Sequence, residues 1–186
     1  MSTPLDETRD WLEQAVIGLN LCPFAKAVHV KGQIRWVLSE ATDAEALLTD
    51  LVAELSGLAA ADPALVETTL LVHPKVLTAF ADFNDFLDIA DAALEELGLT
   101  GTLQIASFHP QYRFAGTRAA DASNCSNRSP YPTLHLLRES SIDRAVAACP
   151  EAEAIFETNI ATLRGMDDAS LKALFGSRVG KPRKAR

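Results

Sequence analysis

Leu70-Leu71-Val72-His73-Pro74 and Ala106-Ser107-Phe108-His109-Pro110 carry the same punctuation, a run suited to a strand closed by His-Pro. Proline disfavours the helical region for the residue before it, so neither run continues directly into a helix. Thr68 to Val72 (TTLLV) is β-branched and aliphatic, and Thr102 to Phe108 (TLQIASF) reads as another strand. Between them Val76, Leu77, Phe80, Phe83, Phe86, Leu87, Ala90 and Leu94 recur at helical spacing up to Gly98, with Asp82 placed to interrupt the run and cap a second helix. Strand, helix and strand in that order imply a right-handed crossover between parallel strands. If the two strands are parallel neighbours, His73 and His109 share one carboxyl edge, which is where open α/β sheets bind ligands.

The pattern extends in both directions. Gln33 to Ser39 alternates Ile34, Trp36 and Leu38 with Gln33, Arg35 and Val37, as a half-buried strand does. Asp43 caps an amphipathic helix with Leu47, Leu48, Leu51, Val52, Leu55 and Leu58 on one side. Thr3, Pro4, Asp6 and Glu7 begin a first helix whose stripe is Leu5, Leu12, Ala15, Val16 and Leu19, ended by Gly18, Asn20 and Pro23. Downstream, residues 111–132 show no sustained period, and a loop of that length in a compact domain is either disordered or used. Leu134 to Leu137 form a fourth strand, and arrival by a loop rather than a helix suits an antiparallel placement. Helices follow around Ile142–Val146, ending at Cys149-Pro150, then around Ile155–Leu163, then between Asp167 and Gly176.

The expected fold is a single layered α/β domain over residues 1–176. It has a roughly four-stranded, mainly parallel or mixed sheet with helices packed on it. A thioredoxin-like or a ferredoxin-like variant is compatible with this order. Residues 177–186 hold Arg178, Lys181, Arg183, Lys184 and Arg186 without an acid and read as a solvated basic tail.

The chain of 186 residues carries a net charge of −8, with a pI near 5.0, 48% hydrophobic residues and a mean hydropathy of +0.06. An acidic chain with no aromatic residue interleaved in its basic tail is not expected to bind nucleic acid. No apolar stretch approaches a membrane span, and no signal peptide opens the chain. Three cysteines without a CxxC spacing fit reduced thiols and a cytoplasmic protein.

The chemistry-bearing residues concentrate between Phe108 and Glu139. Catalysis is assigned to His109 and His135 with Arg128, where imidazoles serve as acid–base groups and a guanidinium clamps an anion. Arg113, Asn127, Tyr131 and Arg138 are candidate substrate-binding groups. His135 alternates with Leu134 and Leu136 and so points away from the core leucines. His73, His109 and His135 are together a candidate site for a zinc-like divalent metal with an open position, although no two stand at the short spacing of a metal motif. Cys22, before Pro23 and an expected helix start, is a candidate functional thiol that should approach the 108–139 segment. His29 beside Lys31 and Gly32 reads as a surface residue.

GLNLCPFAK near the N-terminus, ETTLLV, IASFHPQYRFAGT and NRSPYPTLHLLRE together resemble a family of small bacterial proteins, with relatives in plants, that is a domain of unknown function. The resemblance covers nearly the whole chain before the basic tail and implies that Asn20–Lys26, Phe108–Thr117 and Asn127–Glu139 are the family's signature segments. It implies no activity, cofactor or catalytic residue. It also implies that an aromatic residue is usual at the position of Cys125, which speaks against that thiol as a catalytic group.

The residues themselves favour an enzyme of small-molecule metabolism acting on an anionic metabolite, with metal-dependent hydrolysis or lyase chemistry as the expected class. The alternative is a non-catalytic ligand-sensing or adaptor module using the same loop. An adaptor would expose Tyr112, Phe114 and Tyr131 as a patch, whereas an enzyme would bury them around a polar pocket.

Overall fold

Thr3 opens the chain's first helix, α1 (Pro4–Trp11), with a reciprocal capping box to Asp6. The helix does not run on to Leu19 as an α-helix. Leu12–Ile17 forms a π-helical turn, in which Gly18 and Leu21 donate to the carbonyls five residues back. Then come α2 (Ala25–Val30), β1 (Ile34–Leu38), α3 (Ala44–Ala60), β2 (Thr68–Val72), α4 (Phe80–Glu96), β3 (Leu103–Phe108) and a 3-10 turn (Ala122–Asn127). The rest is β4 (Thr133–Arg138), α5 (Glu139–Ala148), α6 (Ile155–Arg164) and α7 (Asp168–Phe175). This computed structural model describes residues 2–148 and 154–176, so the expected helix end at Cys149-Pro150 and the basic segment 177–186 lie outside the described residues.

The four strands lie in the order β1-β2-β4-β3. β1 and β2 are parallel, and β4 runs antiparallel to both of its neighbours, β2 and β3. β2 and β3 therefore point the same way but are not adjacent, because the chain returns from β3 through residues 109–132 and fills the slot between them. His73 and His109 still reach the same carboxyl edge, with one strand between them. Both crossovers, α3 and α4, carry the chain in the same direction across the sheet, so right-handedness places both helices on one face.

On that face Leu47, Leu51, Leu55 and Leu58 of α3 and Phe83, Phe86, Ala90 and Leu94 of α4 meet Leu71, Leu103, Leu134 and Leu136 of the sheet in the main core. Strand alternation sends the other residues to the opposite face. There Trp11, Leu12, Ala15 and Val16 pack against Ile34, Trp36 and Phe108, with Leu174 and Phe175 of α7. Beside them Leu21, Cys125, Leu163 and Leu171 form a small third cluster that joins the 3-10 turn to α6 and α7.

α4 begins at Phe80, not at Val76. Pro74 breaks the chain after β2, and Leu77 adopts a φ of 54°, a left-handed conformation that a helix cannot contain. Asp82 falls inside its first turn instead of capping a second helix.

Candidate functional site

His73 and His109 continue the alternation of β2 and β3 toward the α3–α4 face, and both are fully buried. Phe83 lies between them, stacked on His73 at 5.8 Å between ring centres and tilted against His109 at 5.1 Å. Each imidazole serves the Pro74–Ala79 turn. His73 Nδ1 is 3.2 Å from the Val76 carbonyl, and His109 Nε2 is 3.2 Å from the Leu77 carbonyl. A carbonyl only accepts, so both nitrogens carry the proton. His109 Nδ1 then accepts from the Gln111 backbone N–H at 3.0 Å, which fixes a neutral tautomer with both nitrogens engaged. Burial pushes His73 down to about 4, opposed by its bond to Val76 and reinforced by the neighbouring His109.

His135 is elsewhere. It stands opposite Leu70 and Ala106 in mid-strand, on the other face of the sheet, near Phe108. Thr68 gives its one hydroxyl proton to the Leu136 carbonyl and so must accept from His135 Nε2 at 2.7 Å. Burial lowers His135 to about 4. The three histidines do not converge, because the same alternation that buries His73 and His109 turns His135 away. Among the described residues no group of three His, Cys, Asp or Glu side chains is placed to hold a metal ion.

The 109–132 loop is fastened from within. Arg128 is 3% exposed and donates to the carbonyls of Tyr112 and Ala119, at 3.2 and 2.7 Å. Asn124, fully buried, accepts from the Phe114 N–H and the Thr117 hydroxyl and donates to the Arg118 carbonyl. Asn127 donates to the Ser107 carbonyl, tying the loop to β3. Asp121 accepts from Arg164 and Ser123, and these bonds hold its carboxyl well below the usual carboxylate range. Arg138 lies outside the loop, on the α3–α4 face, and bridges the carbonyls of Leu58 and Ala61 at the C-terminal end of α3 to that of Val66 just before β2. Tyr131 donates its hydroxyl to Glu7 of α1 at 2.7 Å. Arg113 is exposed, with no side-chain partner among the described residues. Burial pushes the Cys125 thiol up against the opposing pull of Arg128.

Cys22 does approach the loop. It lines a cleft of about 420 Å³ on the α1 side of the sheet, together with Phe108 of β3, Phe114 of the loop, and Ser126 and Asn127 from the 3-10 turn. The outer wall is α6, through Phe156 and Asn159. Asn159 donates to the Leu21 carbonyl at 2.8 Å, and Phe156 meets Phe114 edge-on at 6.1 Å. A thiol, a hydroxyl and two amides face this space, and no charged side chain lines it among the described residues. α2, which follows Cys22, has six residues and no side-chain cap. His29 is half-exposed and lies 3.1 Å from Glu13.

A family model described as a protein of unknown function, DUF1415, matches residues 3–173. The chain belongs to the DUF1415 family. No curated protein and no solved structure matches it. The match spans all four strands and every wall of the Cys22 cleft, so the cleft lies within the DUF1415 domain itself. Two of its residues escaped the sequence reading. Ile155 and Phe156 both belong to the apolar residues of the expected helix around Ile155–Leu163, yet neighbours on a helix point about 100° apart and do not share one face. Phe156 is the one that leaves, at 58% exposure, and that adjacency was the signal for it. Asn159 had no such signal, because its partner Leu21 lies far away in sequence.

Proposed function

We propose that this DUF1415 protein binds a small, uncharged and largely apolar molecule through one hydrogen-bonding group, in the cleft beside Cys22. One observation carries the reading. Cys22, Phe108 and Phe114, and Asn127 come from segments far apart in the sequence, and all four line one cavity. Rings on several sides suit an apolar body, while Ser126, Asn127 and Asn159 offer donors and acceptors that would fix its orientation. An enzyme acting on an anionic metabolite draws its support from the polar density of the 109–132 loop. Arg128 and His109 employ that polarity on backbone groups, so the support shifts toward a ligand-binding role. The unpaired thiols of Cys22 and Cys125 suit a reducing, cytoplasmic setting. Among the described residues no helix is long and apolar enough to cross a membrane.

Thermal-shift screening of neutral metabolites against the wild type and Phe156→Ala tests this reading. A ligand held at about 100 times its Kd adds about 2.7 kcal/mol to stability, a plain rise in Tm. The rise should appear in the wild type and shrink in Phe156→Ala. Hits that raise both proteins equally, or no hits at all, would count against the cleft.

A further inference from the structure

The polar side chains that line the Cys22 cleft give protons to the fold and receive almost none back. Asn159 donates from Nδ2 to the Leu21 carbonyl at 2.8 Å, and Asn127 from Nδ2 to the Ser107 carbonyl at 3.2 Å. A carbonyl only accepts, so each amide is fixed with its nitrogen toward the backbone and its oxygen turned the other way. Ser126 has a single hydroxyl proton, within reach of the Ser123 carbonyl at 3.1 Å and of Asn127 Oδ1 at 3.2 Å. Among the described residues nothing donates to Asn159 Oδ1 or to Ser126 Oγ, and Asn127 Oδ1 has at most the Ser126 proton.

We infer that the ligand of this cleft carries a hydroxyl group on its apolar body, as an alcohol or a phenol, and gives that proton to Asn159 Oδ1. The inference rests on the ligand-binding reading of the cleft and adds the identity of the ligand's polar group. An apolar body in the cleft excludes solvent from these oxygens, and an acceptor left there without a donor weakens binding. A ketone, an ether or an ester brings acceptors only. It can use the N–H that each amide still holds, but it leaves the oxygens bare. A hydroxyl donates to the amide oxygen and accepts from a remaining N–H with the same atom. An ammonium group would donate as well, but among the described residues no carboxylate lines the cleft to offset its desolvation.

Titration of the full chain at neutral pH with 2-naphthol and with its methyl ether, followed by amide chemical shifts, tests the inference. The two probes share one aromatic body, and only the naphthol can donate. The naphthol should bind about tenfold tighter, the scale set by one unpaired polar group. In Asn159→Leu, which roughly keeps the side-chain volume and removes the oxygen, the ratio of the two dissociation constants should fall several-fold. The lost bond to Leu21 and the extra methyl group of the ether weigh equally on both sides of that comparison, so a merely structural role of Asn159 would leave the ratio unmoved. Equal affinities of the two probes at the cleft amides, or a ratio in Asn159→Leu equal to the wild type's, would overturn the hydroxyl assignment and leave the cleft standing as a binding site. Binding of neither probe, or shifts confined to residues outside the cleft, would contradict the ligand-binding reading and this inference with it.

Discussion

The His73–His109 edge and the Cys22 cleft lie at the same end of one sheet, on opposite faces, and the fold uses them in opposite ways. At the first, two imidazoles, the kind of group expected to do chemistry, are fully buried and committed to the carbonyls of Val76 and Leu77. At the second, an uncharged thiol, amides and rings stand around open space. The difference teaches that chemical potential in a residue type is not availability. A His at a strand end is a good acid–base group until it is buried and its N–H is spent on a turn. Here one N–H from each ring holds a turn that includes a left-handed Leu77, whose conformation needs such support.

The comparison breaks most visibly if the buried cations prove dispensable. Arg138→Ala removes the donor for carbonyls of Leu58, Ala61 and Val66, and should cost about 4 kcal/mol in denaturant unfolding. A loss below about 1 kcal/mol would return Arg138 to the pool of ligand-binding groups. Protonation tests the imidazoles. His73 titrates at about 4 in the fold, against about 6.5 in the unfolded chain. The unfolded state thus binds more protons between these values, so the stabilisation is complete above pH 6.5 and is lost as pH falls toward 4. The loss amounts to about 3 kcal/mol for this group alone. His73→Asn keeps a donor for Val76 and should flatten that slope. An unchanged pH profile would mean that the ring is solvated in the fold.

Much of this was legible in the chain. Alternation in Thr133–Arg138 separates Leu134 and Leu136 from His135, and the leucine stripe of α3 and the ends of β2 and β3 could be read directly. What stayed hidden depends on contacts between distant segments. Nothing local says that β4 inserts between β2 and β3, or that His109 reaches Leu77 on the turn before α4. The π turn was hidden for a different reason, since the apolar stripe of an α-helix and a π-helix differ little over six residues. Gly18 is its trace. A Cβ there would stand 2.2 Å from the Gln14 carbonyl oxygen, so the backbone itself would have to move. Gly18→Ala should cost about 2 kcal/mol by thermal unfolding, and a neutral result would show that the turn relaxes to an α-helix.

The smallest effect on stability should come from the cleft. Cys22→Ser changes a half-exposed thiol and should shift stability by less than about 1 kcal/mol. In the native wild type, Cys22 should react with a small alkylating agent while buried Cys125 resists until the chain unfolds. Equal labelling of the two would show that the loop opens readily.

The most direct measurement is amide chemical-shift mapping of the full chain with a compound that raises its Tm. The account predicts that the perturbed amides cluster at Leu21, Cys22, Phe108, Phe114, Ser126 and Asn159, with those of the Pro74–Ala79 turn unmoved. Shifts centred instead on His73, His109 and Arg113, with the Cys22 cleft silent, would contradict it.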